Sequence, residues 1–146
     1  MYRLNNKEGF SLVEMAIVVG IIAILIGVLV GASGMRDNAG IQSASQSVNT
    51  LRSAGGNYLA AGNLTYTGIS IDKLKTDQYL PAGFTGTASN PWGGDYTVLP
   101  NTDNTKVDIA MTKISATVST RLTALFKNSA NATAYDATNL KWTATF

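Results

Sequence analysis

The residue of this chain best placed to do chemistry is an acid. Glu14 stands at the head of an apolar run, Met15 to Ala32, in which all eighteen residues are apolar or small and none is charged. An ionised carboxylate beside so much hydrocarbon is costly unless a cation pairs with it or a proton neutralises it, and acids in such places are functional by default. The other carboxylates are mostly isolated. Asp72 with Asp77, and Asp103 with Asp108, have the spacing of an acid pair or of calcium ligands, although loop aspartates are far more often solvated surface. The chain has no Cys and no His, so thiol nucleophiles, disulfides, imidazole bases and the usual zinc and haem ligands are missing together. No G-x-S-x-G elbow, P-loop or G-x-G-x-x-G turn occurs. This inventory predicts a non-enzyme with no catalytic residues, no cofactor and no metal.

The elements that must position Glu14 follow from how the residues are distributed. Residues 1–9, MYRLNNKEG, carry Arg3 and Lys7 and read as a basic lead-in on the cytoplasmic side of a membrane. As a helix the apolar run would extend about 27 Å, close to the ~30 Å hydrocarbon core, so residues 10–34 are expected to include a single span. A secretory cleavage site would follow the run, but SGMRDNAG after Ala32 matches one poorly; any cut is better placed on the cytoplasmic side, where the break between Gly9 and Phe10 lies. Ala23, Gly27 and Gly31 recur every four residues and share one helical stripe, with Ala16 and Gly20 starting a second; such stripes let helix backbones approach closely. Two readings of Glu14 stay open here. Its carboxylate either snorkels to the headgroups or meets a cation that the apolar run does not supply.

The segment KEGFSLVEMAIVVGIIAILIGVLV resembles the N-terminal signature of type IV prepilins and pseudopilins, G-F-[ST]-L-x-E ahead of an apolar helix. The resemblance implies that a prepilin peptidase cuts between Gly9 and Phe10 and N-methylates the new Phe10 amine. It also implies that Glu14 neutralises the N-terminal amine of a neighbouring subunit in a filament, which would supply the missing cation. Phe10, Glu14, Ala23, Gly27 and Gly31 are then the expected assembly residues.

Past Ala32 the composition turns polar. Ile41, Ala44, Val48, Leu51 and Tyr58 lie on one helical face, so an amphipathic helix is predicted over residues 35–62, with Gly31 to Gly34 a candidate bend. The remainder, 63–146, is expected to form a globular head. Ile71 to Gln78 reads as a short helix capped by Ser70, and the Pro- and Gly-rich LPAGFTGTASNPWGG as the loop leading to a sheet. In that loop PWGG reads as a turn whose Trp92 ring caps the core. DYTVLP and KVDIAMT read as an antiparallel hairpin turning at NTDN, with Val107, Ile109 and Met111 facing the helix and Lys106, Asp108 and Ala110 facing water. A further helix fits ISATVSTRLTALFKN, with an apolar face of Ile114, Val118, Leu122, Leu125 and Phe126 and Ser115 as its cap. A last strand fits LKWTATF, Leu140 and Trp142 pointing one way and Lys141 and Thr143 the other. The fold class is α+β, a long N-terminal helix packed on a small antiparallel sheet, which is also the pilin order. The stretch YLPAGFTGTASNPWGGDYTVLP with the strand and helix after it is similar to type IVb pilins. Those usually carry a longer leader and a C-terminal cysteine pair. Without cysteines, the C-terminal region must be held by packing of residues such as Trp142 and by hydrogen bonds.

The resulting expectation is a structural subunit of a type IV pilus, held in the bacterial inner membrane with its N-terminus cytoplasmic and extracellular after assembly. Its partners would be further copies in a helical filament, a prepilin peptidase, the assembly platform, minor pilins and, before assembly, membrane lipid. The alternatives are a major pseudopilin of a type II secretion system, which PWGGDY also resembles, and a minor or competence pilin with a DNA- or surface-binding head. Eleven Lys and Arg against nine Asp and Glu, evenly scattered, form no basic stripe, so no nucleic acid is predicted as a partner. Asn63-Leu64-Thr65 and Asn131-Ala132-Thr133 match a glycosylation pattern too short to assign in a chain this rich in Asn and Thr.

Overall fold

The computed structural model describes residues 12–146; of residues 12 and 24–35 it describes the backbone alone. Helix α1 (Leu12–Ala60) comes first, followed by α2 (Ile71–Thr76), β1 (Tyr96–Pro100), β2 (Val107–Met111), α3 (Ala116–Phe126), β3 (Ala132–Asp136) and β4 (Lys141–Thr145). The chain divides into two compact units, Met1–Arg36 and Asp37–Phe146.

In the first unit, the described large apolar side chains of α1, Val13 to Ile22, are all about half exposed or more. Among the described residues no helix is long and apolar enough to cross a membrane. The span expected over 10–34 falls largely on residues whose side chains lie outside the description.

In the second unit the amphipathic pattern does what its period predicts. Ile41, Ala44, Val48, Leu51, Ala54 and Tyr58 are all buried, at 8% exposure or less. They form one face because residues three and four apart stack on a helix. The helix ends at Ala60, where Gly62 takes φ +100° and the Asn63 side-chain amide donates to the Tyr58 carbonyl at 2.8 Å, satisfying an acceptor that the helix leaves open.

Facing that helix is a four-stranded antiparallel sheet in the order β1-β2-β4-β3. Its inward side chains include Val98, Val107, Ile109, Met111, Trp142 and Ala144, all buried. The last strand therefore sits inside the sheet, not on its edge. Phe146 exchanges two 2.9 Å hydrogen bonds with Val107, and its ring lies under the Arg52 guanidinium at 5.0 Å. Trp142 is fully buried, packs on Phe126 at 5.5 Å between ring centres, and donates its indole N–H to Thr123 Oγ1 at 3.1 Å. Central pairing and one large anchored aromatic thus hold the cysteine-free C-terminus.

Four expectations need correction. A fourth strand, β3, follows α3 where none was predicted; its sequence, ATAYD, has no fully buried residue, Tyr135 alone packs against the core, and its pairing with β4 creates it. Asp136 nucleates the turn between them by accepting from the Thr138 and Asn139 amides and from the Asn139 side chain. Leu140 belongs to that turn, with φ +47° and 48% exposure, so it does not share the inward face of Trp142. On α3 the buried stripe runs Val118, Ser119, Leu122 and Phe126, while Leu125 is 48% exposed. Ser119 is tolerated because its hydroxyl donates to the Ala116 carbonyl. Ala110, expected to face water, is buried between Thr97 and Thr143, its neighbours across the sheet.

One buried group is poorly served. The Tyr96 ring lies in the core at 3% exposure, and among the described residues its hydroxyl meets no partner at hydrogen-bond distance and angle. Burial pushes its pKa up, and the Ser47 side chain offsets this only in part. A buried hydroxyl left without its bond costs stability. Tyr96→Phe is expected to stabilise the protein by about 1 kcal/mol in urea unfolding; a loss of that size would mean that Ser47 does bond the hydroxyl.

Candidate functional site

The expected site residues fall into those the structure describes and those it does not. Gly9 and Phe10 lie outside the described residues, so the expected cut and the Phe10 amine have no structural account here. Glu14 lies in the first turn of α1 and is exposed. A carboxylate in that position is favoured by the unpaired amides and the positive end of the helix dipole. Ala23 is exposed on the same helix, and Gly27 and Gly31 continue its four-residue spacing within the helical backbone. Gly20 has open space where a Cβ would stand. The helix thus carries Glu14 at its start and the small-residue stripe further along.

Of the aspartates weighed as acid couples or calcium ligands, Asp77, Asp103 and Asp108 are engaged locally. Asp77 ends α2 and takes a 2.9 Å ion pair from Lys73, while Asp72 lies in the first turn of α2. Asp103 accepts from the Thr105 amide and hydroxyl and from Lys106 at 2.7 Å; these bonds, the one from Lys106 first, hold its carboxyl at a pKa of about 2. Asp108 instead accepts from Asn101 Nδ2 and from Thr145 Oγ1 across the sheet. Asp72 and Asp77 stand at opposite ends of α2, Asp103 and Asp108 have separate partners, and among the described residues no three potential ligands gather for a metal.

The NPWGG stretch is the best-organised loop of the second unit. Asn90, only 4% exposed, accepts from the Trp92 and Gly94 amides through Oδ1 and donates from Nδ2 to the Thr112 carbonyl at 2.8 Å. Pro91 occupies the second position of a turn closed by the Gly93 amide donating to the Asn90 carbonyl at 2.9 Å. Gly93 has φ +73°, a region that glycine enters without strain. At Gly94 a Cβ would overlap the Thr112 carbonyl oxygen, so only glycine lets the loop lie against β2.

This loop reaches α1. Trp92 donates its indole N–H to Asp37 Oδ1 at 3.2 Å, and its ring and Pro91 lie 3.1 and 3.2 Å from where a Gly40 Cβ would be. One helical turn is held a second time by Arg121, which donates to Asn38 Oδ1 at 2.8 Å from α3. Asp37, Asn38, Gly40 and Arg121 were not among the expected site residues. A small residue at the first position of the buried face, just before Ile41, was the available signal.

Set against known families, residues 4–30 match the prokaryotic N-terminal methylation motif. The chain carries the leader motif that type IV pilins and pseudopilins share. The match covers Gly9, Phe10, Glu14, Ala23 and Gly27 and stops just short of Gly31, leaving the whole second unit unmatched. The motif implies processing by a prepilin peptidase and assembly into pilus-like polymers. No curated protein and no solved structure matches the chain.

The loop geometry makes a sharp prediction for the second unit. Gly94→Ala is expected to destabilise it by more than about 4 kcal/mol, or to leave it unfolded, because the clash is with backbone; Gly83→Ala, at a glycine with open space around it, serves as the matched control in thermal unfolding. Equal melting temperatures for the two variants would contradict the loop packing described here.

Proposed function

We propose that this protein is the structural subunit of a type IV pilus, stored in the inner membrane after leader removal and polymerised through α1. The observation that carries the reading is the methylation motif over residues 4–30, which sets Gly9, Phe10 and Glu14 in register with the apolar run. Cutting after Gly9 would create a cationic Phe10 amine, and Glu14 of an adjacent copy would neutralise it. In that arrangement each charge answers the burial cost of the other. The exposed apolar side chains of Val13 to Ile22 supply surface for lipid before assembly and for neighbouring helices afterwards. Ala23, Gly27 and Gly31 would admit the closest helix approach. The prepilin peptidase, the assembly platform and minor pilins are the partners this role requires, and no catalysis is assigned to the subunit.

A major pseudopilin of a type II secretion system is the second reading, favoured by the same motif and by the PWGGDY segment. Against it, pseudopilins of that kind are expected to carry an acidic, calcium-binding C-terminal loop, and residues 131–146, NATAYDATNLKWTATF, hold one acid. There Asp136 is committed to the β3–β4 turn.

Mass spectrometry of the exported protein is expected to show a chain that begins at Phe10 with one added methyl group on its amine. Retention of residues 1–9 with an unmodified N-terminus would defeat the assignment at its first step. Glu14→Leu is expected to lower filament yield by on the order of tenfold or more, since a buried amine without its counter-charge costs several kcal/mol. Wild-type yield from that variant would remove Glu14 from the assembly joint.

A further inference from the structure

The open edge of the sheet is a second place where this chain can bind something, independent of the filament reading. In the order β1-β2-β4-β3, β1 has no strand on its far side among the described residues. Its ladder with β2 is bracketed by Thr112 donating to the Asp95 carbonyl and Asn101 donating to the Lys106 carbonyl, both at 3.1 Å. Thr97 and Leu99 therefore face β2 through their backbones, while Tyr96, Val98 and Pro100 turn theirs outward.

The chain itself begins an addition to that edge. The Tyr96 amide donates to the Gly86 carbonyl at 2.7 Å. Past that contact a groove of about 310 Å³ opens, bounded by β1, by Ser70, Ile71 and Asp72 at the start of α2, and by Thr87. The outward Val98 amide and the Tyr96 and Val98 carbonyls border it. Pro100 has no amide to offer, so the usable edge is short, enough for two or three residues of an extended chain. The charged side chains lining the groove, Asp72 and Asp95, are both acids, and Asp95 is placed by accepting from the Ala88 amide at 2.7 Å.

We infer that this groove binds a short extended peptide segment bearing a Lys or Arg, which adds to β1 as a further strand through Val98 and sets its cation beside Asp72 and Asp95. Backbone pairing supplies the affinity of such additions, and the charge selects the sequence. The occupant is a partner polypeptide of cationic character.

The test uses the full-length protein in detergent micelles and two blocked pentapeptides, acetyl-Thr-Val-Lys-Val-Thr-amide and its counterpart with Glu in place of Lys. Hydrogen exchange is followed at single amides. At a Lys-peptide concentration ten times its dissociation constant, the Val98 amide is expected to slow about tenfold, with Thr97 and Leu99, already bonded to β2, nearly unchanged. The Glu peptide is expected to give several-fold less protection, and Asp72→Asn, a change at an exposed position, to narrow the gap between the two peptides. Unchanged Val98 exchange at millimolar peptide, or equal protection by both peptides, overturns the inference. Val98 protection that rises with protein concentration in the absence of peptide also overturns it, since a second copy would then be filling the edge.

Discussion

The second unit depends on one contact, the laying of the α1 face from Ile41 to Tyr58 against the inner side of the sheet. Six side chains of that face are buried to 8% exposure or less, in one core with the inner side of the sheet and with Tyr66 and Ile69. The requirement fixes the alternation of the strands, because a one-residue slip would turn Val107, Ile109 and Met111 away from the helix. It also explains why the last strand is internal. Trp142 is the largest fully buried side chain, and the internal β4 carries it under Phe126 and Thr123 of α3.

A second constraint governs where that contact begins. Trp92 and Arg121 come from segments 55 and 83 residues away, yet both bond to one turn of α1, at Asp37 and Asn38. Gly40 makes room for the indole, and the Asn90 hub with Gly93 and Gly94 sets the angle at which the indole arrives. The NPWGG stretch is therefore a structural joint.

Much of this was legible in the sequence wherever a local period carried the information. The amphipathic face of α1, the Ser70 and Ser115 caps, and the β1–β2 hairpin all follow from spacing and turn chemistry within a few residues, and the structure has them. Strand β3 was hidden because ATAYD has no strong apolar alternation; its identity comes from β4, which it meets through the Asp136 turn. Ser119 and Leu125 exchanged roles because an eleven-residue helix buries a narrow stripe, and a hydroxyl that bonds to its own helix enters it at little cost. Of the contacts of Trp92 with Asp37 and Gly40 the sequence showed only a small residue just before Ile41, because the approach itself is tertiary. At the candidate site the leader motif was legible because it is a run of local sequence: Gly9 and Phe10, an acid four residues on and an apolar run behind it. Where Gly9 and Phe10 sit relative to Glu14 in an assembled polymer depends on more than one copy, and no single chain encodes that visibly.

Together these features describe a head folded on the later part of a helix whose earlier part bears a processing motif and exposed apolar side chains. The account of its role rests on that helix joining copies into a surface fibre. Electron microscopy of the producing cells beside a strain lacking this gene tests it most directly. The account predicts long surface fibres that vanish on deletion and return when the gene is restored. Loss of protein secretion, with no fibres in either strain, would contradict it and assign the same joint to a secretion pseudopilus.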